Sequence, residues 1–203
     1  MKKQPEQTAH TKQAIVNAFW DLAVQQGLDK VTVSAITKRA GFNRGTFYVY
    51  FNDMEDLRIQ EEEDMILDLQ SRMKSALYEG SVVNCEIASK KVVEALTLYD
   101  DKLFLLIGRN GDPDFLARVM EMLSSVLYEF FDKADENPYS GYITAYMSSA
   151  VIGSLIYWHD TGRKISIEEL SEVIYGLAAK RSDRSWNRGG IMILPVGTTL
   201  EEN

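Results

Sequence analysis

The stretch Thr32-Val33-Ser34-Ala35-Ile36-Thr37-Lys38-Arg39-Ala40-Gly41-Phe42-Asn43-Arg44-Gly45-Thr46-Phe47-Tyr48-Val49-Tyr50-Phe51-Asn52-Asp53-Met54-Glu55-Asp56-Leu57 decides how this chain is read. Thr32 offers a side-chain acceptor to cap a short helix ending near Ala40, on which Val33, Ile36 and Ala40 make one apolar face. Gly41 is the natural left-handed residue for a turn. Asn43 then caps a second short helix, from Arg44 to about Phe51, with Phe42, Phe47 and Phe51 as its inner side. Upstream, Ile15, Ala18, Phe19 and Leu22 recur at i, i+3, i+4 and i+7, an amphipathic stripe closed by Gly27 and Leu28. Two short helices joined by a glycine-containing turn and held by a preceding amphipathic helix describe a helix-turn-helix unit.

Downstream the punctuation is sparse. Asp53, with Glu55 and Asp56 in the first turn, opens a long helix that meets no Gly or Pro before Tyr78 and stops at Gly80. Further helices are expected at about 84–107, 113–133, 139–160 and 166–180. They are separated by Gly108 to Pro113, by Asn137-Pro138 and by Thr161-Gly162. Leu103 to Ile107 has strand-like composition, but its helical neighbourhood decides for helix, and no run keeps strand alternation. The class is all-α: a helix-turn-helix domain over 1–52, a helical regulatory and dimerisation domain over 53–180, and a tail over 181–203 that has no assigned structure.

Composition removes other classes. The chain of 203 residues is 45% hydrophobic and 26% charged, an ordinary globular composition. Cys85 is the only cysteine, so no intrachain disulfide or cysteine zinc site is expected. The basic N-terminus is not followed by an apolar run, so no signal peptide is read. The uncharged segment Asn137–Trp158 is diluted by hydroxyl residues and four tyrosines, which suits a buried helix rather than a membrane span. A reduced cytoplasmic protein is the expectation. With His10 and His159 as the only histidines, and no Gly-rich phosphate loop or nucleophile elbow, no catalytic, metal or cofactor site is expected. The run Glu61-Glu62-Glu63-Asp64 is read as a solvated patch.

The net charge of −8 argues against a polyanion partner until it is mapped. Residues 1–51 carry seven basic and three acidic side chains, whereas residues 52–203 carry 15 and 27. One quarter of the chain opposes the sign of the rest, and that quarter holds the helix-turn-helix. The outward side of its second helix is polar and short, as the end entering a DNA major groove must be: Asn43, Arg44, Gly45, Thr46, Tyr48 and Tyr50. Residues 11–57, through Ala40-Gly41, the aromatic run Phe47–Phe51 and Glu55-Asp56-Leu57, resemble the DNA-binding domain of TetR-family transcriptional regulators. Met54 departs from the pattern, standing where the family commonly has a Lys and a phosphate contact. By chemistry, Arg44 suits the guanine O6/N7 edge, and Thr46 and Tyr50 suit bases or thymine methyls. Lys12, Thr32, Lys38 and Tyr48 suit phosphates. Tyr48 and Tyr50 are open to a core role as well, and Lys38 to that of a solvated surface charge.

The resemblance implies a homodimer with a larger helical domain that binds a small effector. Aromatic and methionine candidates for that site are Tyr99, Phe104, Phe115, Met122, Tyr128, Phe131, Tyr146 and Trp158, which serve equally as core. Ala145, Ser149 and Gly153 recur every four residues, leaving one side of the 139–160 helix almost without bulk, and Leu170, Val173, Ile174 and Leu177 line the next helix. The family commonly pairs its last two helices across a dimer interface, although packing within one chain uses the same pattern. The expected function is a ligand-responsive regulator, a repressor released by a small effector from a near-palindromic operator. A helical co-activator working through a protein partner is the alternative.

Overall fold

The computed structural model describes residues 3–78, 85–109, 111–131 and 138–179. Among them lie nine α-helices. The first four are α1 (Lys3–Gln26), α2 (Val33–Ala40), α3 (Arg44–Tyr48) and α4 (Met54–Tyr78). The rest are α5 (Cys85–Thr97), α6 (Asp100–Ile107), α7 (Pro113–Phe131), α8 (Ser140–Asp160) and α9 (Ile167–Ala179). A single 3-10 turn, Leu28–Lys30, follows α1.

The N-terminal unit forms from the signals its sequence carries. Gly27 takes φ 90° and its N–H closes on the Ala23 carbonyl at 2.8 Å, ending α1. Thr32 Oγ1 accepts from the Ala35 N–H at 3.2 Å, capping α2, and Gly41 leaves it at φ 77°. Ile15, Phe19, Ile36, Phe47 and Phe51 form the interior of this unit, each 1% exposed or less, and Trp20, also buried, turns to α4 and α6. Outside it, Arg39 of α2 pairs with Asp21 of α1 at 3.0 Å.

At 1.5 Å per residue, the 25 residues of α4 reach about 37 Å from this unit into the body. Asp53 Oδ1 accepts from the Asp56 N–H at 2.8 Å, capping the start as expected. Leu57, Met65, Leu69 and Met73 are buried along one side of α4, which packs on α5 and α7, while α7 packs on α8 and α5 on α9.

Four expectations change. α3 is shorter than read: its regular helix ends at Tyr48 and Val49-Tyr50 form a turn, in which the Phe51 N–H still closes on the Phe47 carbonyl at 3.1 Å and Phe51 stays on the inner side with Phe47. The helix read at 84–107 is two, α5 and α6, broken at Leu98-Tyr99 with Asp100 at φ 36°. No Gly or Pro marks that break; its partners lie elsewhere in the chain. The Tyr99 hydroxyl donates to Asp68 of α4 at 2.7 Å, and Asp100 pairs with Arg163, itself at φ 54° in the α8–α9 turn. The acidic run of α4 is not uniformly solvated either. Glu63 and Asp64 are exposed, but Glu62 is 1% exposed and Glu61 accepts from the Trp20 indole N–H at 2.9 Å. Each residue turns about 100° from the last along a helix, and Glu62 falls on the side shared by Met65, Leu69 and Met73. Finally, α8, read as a buried helix, is covered on one side only in this chain: Tyr142, Tyr146 and Tyr157 are exposed, whereas its buried hydroxyls are paired, Ser148 Oγ donating to the Thr144 carbonyl at 2.9 Å and Ser124 Oγ to Thr144 Oγ1 at 3.1 Å. No described helix is long and apolar enough to cross a membrane. The readings at Gly80, 132–133, 180 and the 181–203 tail lie outside the described residues.

Candidate nucleic-acid interface

The side chains of α3 are aimed by one buried ring. Phe47, fully buried, points into the unit and meets Phe51 at 5.5 Å between ring centroids. The other positions of α3 must therefore face sideways or out. Arg44 and Gly45 are exposed, Tyr48 is 57% exposed with its ring edge-on to Phe47, and Thr46 and Tyr50 are half-buried. The start of the helix is fixed by Asn43, whose Oδ1 accepts from the Thr46 N–H at 2.9 Å and from its hydroxyl at 3.2 Å. A Cβ at position 45 would stand 3.2 Å from that same oxygen, so Gly45 both preserves the cap and leaves the outer side of the helix bare.

The surrounding candidates differ in exposure. Lys38 and Thr32 are exposed on α2 and at its start. Lys12 is half-buried at the seam of α1 and α4, donating to Gln60 Oε1 at 3.2 Å and lying 5.4 Å from the Phe51 ring centre. Its ammonium thus holds the two helices together beside α3. Met54 is half-buried against the core at the start of α4.

The effector candidates are placed less uniformly. Phe104, Phe115 and Met122 are buried, Tyr99 and Trp158 half-buried, and Tyr128 and Tyr146 about half exposed at 49% and 53%; the Phe131 side chain lies outside the described residues. The structure brings Phe104 and Trp158 together at 6.2 Å, with the His159 ring stacked on Phe104 at 4.2 Å and the Arg163 guanidinium over both aromatic rings. Phe104 and His159, with Val24, Leu105 and Arg109, line an open cleft of about 660 Å³ between α1 and the body. Sequence spacing had no means of finding Val24 there, since the cleft joins residues far apart in the chain.

An ionic cluster around the buried Glu62 was also missed. Glu62 receives Arg58 at 3.0 Å and is paired with Arg118 of α7, while Arg58 is also paired with Asp112 at the start of α7. The Arg58 hydrogen bond holds the Asp112 carboxyl below the usual carboxylate range. Burial pushes the Glu62 carboxyl up, against the pull of Arg58 and Arg118. The i, i+4 pair Arg58/Glu62 in the buried stripe of α4 was the signal available.

An exposed, capped short helix held outward on a packed three-helix unit defines this molecule as a helix-turn-helix DNA-binding protein. Residues 15–60 match the family of bacterial regulatory proteins, tetR family, and residues 87–180 match a transcriptional regulator C-terminal region. Among relatives, the HTH-type regulator YvdT of Bacillus subtilis is 28% identical over 108 residues, covering 53% of this chain and 51% of that protein. A second B. subtilis regulator, YxbF, is 28% identical over 80% of this chain and 43% of its own length. The matched region thus spans about half the length of each. The Staphylococcus aureus regulator SAS2464 is 21% identical over 91% of this chain and all of its own. A TetR-family structure from Syntrophomonas wolfei superposes with TM-score 0.69 at 18% identity, covering 92% of this chain and 99% of that one. The FadR regulator of B. subtilis, solved with stearoyl-CoA, does so at 0.64 and 19%, covering 81% and 96%. The chain belongs to the TetR family of transcriptional regulators.

Proposed function

We propose that this regulator is a cytoplasmic, ligand-responsive repressor that binds a near-palindromic operator as a homodimer and is released by a small effector. Residues 1–52 serve as the DNA-reading domain and 53–180 as the regulatory and dimerisation domain. The observation that carries the reading is the outward presentation of Arg44, Gly45 and Tyr48 on a helix whose opposite side, Phe47, is buried. Arg44 reads a guanine, with Thr46 and Tyr50 as neighbouring base contacts, while Lys38, Thr32, Tyr48 and the seam residue Lys12 set register on phosphates.

Dimerisation through α8 and α9 is supported by what those helices leave uncovered. Ala145, Ser149 and Gly153 are exposed, as are Val173 at 51% and Leu177 at 66%, with Tyr142 at 79% beside them. Leu170 and Ile174, on the same stripe of α9 at i, i+3, i+4 and i+7, are buried within the chain. The small-residue side of α8 leaves room for a second helix to approach closely. An effector of the small-molecule type is supported by the stearoyl-CoA bound to the FadR neighbour. It acts only to the extent that it prefers one of two arrangements of the recognition helices.

The test is quantitative binding to an operator selected from random duplex DNA. Arg44→Ala should weaken the selected site by about 1–3 kcal/mol and relax preference at one base pair per half-site. An equal loss on every sequence would refute base reading by Arg44.

A further inference from the structure

We propose that Val49 reads a pyrimidine C5 methyl group, that of thymine, and is a specificity-determining residue of the DNA interface. This rests on the DNA-reading role of α3. Val49 is 73% exposed, among the most exposed large apolar side chains described. Its backbone remains helical at φ −72°, ψ −28°, so the geometry of α3 extends through it. Two residues on from Phe47, its side chain leaves the helix about 200° round from the buried ring, on the outermost line of the element. One turn earlier on that line stands Gly45, exposed and without a side chain. The ridges to either side are Arg44 with Tyr48 and Thr46 with Tyr50, each pair at i, i+4.

The outer side of α3 is thus a notch above Val49, flanked by hydrogen-bonding groups. A scattered surface valine asks for no explanation, but this one lies at the centre of the surface that docks. Valine has no donor or acceptor, so it offers nothing to the N and O atoms of the base edges. The apolar feature that the major groove presents is the C5 methyl of thymine. Valine is also stiff at χ1, so little side-chain freedom is lost when it is covered. Gly45 lets the backbone come close enough for a short side chain to reach. In DNA carrying 5-methylcytosine the same chemistry is available from a second base.

The experiment uses the intact protein and its selected operator, with thymines replaced one at a time by deoxyuridine, which removes the methyl group and keeps the pairing. At one thymine per half-site the wild type should lose about three- to fivefold in affinity, the scale of one buried methyl group. Val49→Ala should bind the thymine and uracil operators equally, with an unchanged helical circular-dichroism signal. Cytosine and 5-methylcytosine duplexes at the same position form a second arm: methylation should strengthen wild-type binding and leave Val49→Ala indifferent. A generic surface or helix-propensity role for Val49 does not depend on a methyl group across the groove. If Val49→Ala keeps the full uracil penalty while Arg44→Ala relaxes preference at one base pair per half-site, Val49 is not the methyl reader and DNA reading by α3 stands. If no duplex is bound in preference to another, both claims fall together.

Discussion

Lys38 and Arg39 are adjacent, equally charged and both exposed, yet they do different work. Arg39 is turned back on Asp21, with Nη2 at 3.0 Å and Nε at 3.2 Å from the same carboxylate oxygen, and so ties α2 to α1. Lys38 sits 100° further round the helix and is exposed to solvent. A basic residue already paired within the protein has less to offer a phosphate, since docking must first break the pair. Lys38→Ala should therefore reduce the dependence of log K on log salt by about one unit, with little change in which sequence is preferred. Affinities measured from low to moderate salt provide the slope, and an unchanged slope would exclude a phosphate contact at Lys38. At this scale the sequence was informative where a residue's role is local. Thr32 and Asn43 cap the helices they were read to cap. It was less informative for Lys12, whose bond to Gln60 joins residues 48 positions apart.

At the scale of elements, α4 links the DNA-reading unit to the body, and its attachments decide what it transmits. The polar ones include Lys12 and Trp20 of α1 to Gln60 and Glu61, Tyr99 beside the start of α6 to Asp68, Arg58 to Asp112 at the start of α7, and Arg118 and Glu129 of α7 to Glu62 and Lys74. Asp112 does two jobs, pairing with Arg58 and accepting from the Asp114 N–H at 2.8 Å to cap α7. Because its carboxyl is held low in the folded state, the unfolded chain takes up that proton first as pH falls. The stabilisation is therefore complete above the ordinary carboxylate range near pH 4 and is lost as pH falls through the depressed value. Glu62, pushed up by burial, works in the opposite direction, so the comparison must be made at Asp112. Asp112→Asn should be less stable than the wild type at pH 7, and the difference should narrow between pH 5 and about pH 3. Denaturant melts across that range test it, and a gap that stays constant would show that Asp112 is not the source. The existence of α4 was legible from Asp53 and the unbroken run to Tyr78. The α5–α6 break and the burial of Glu62 were not, because both depend on partners more than 30 residues distant: Asp68 and Arg163 for the first, Arg118 for the second. The candidate effector residues illustrate the same limit. Aromatic spacing on α7 and α8 does not distinguish Phe115, fully buried, from Tyr146, half exposed.

For the whole molecule, the charge map and the surface map give a consistent picture. The sum of −8 combines a basic reading unit with an acidic body. Such a body repels DNA except through the basic surface, which favours encounters in the productive orientation. The uncovered side of α8 and α9, with Tyr142, Val173 and Leu177 in water, is where a second chain would make the protein symmetric. A two-fold dimer presents two copies of α3 to one side of the duplex, and half-sites about 34 Å apart follow from the pitch of DNA. In the proposed function, an effector acts by favouring a different separation of the two helices. The most direct measurement is a hydroxyl-radical footprint of the intact protein on its selected operator, combined with mass measurement of the complex. The account predicts two chains per duplex and two protected half-sites about one helical turn apart, related by a near-palindrome. One chain per duplex, or protection without half-site symmetry, would contradict it.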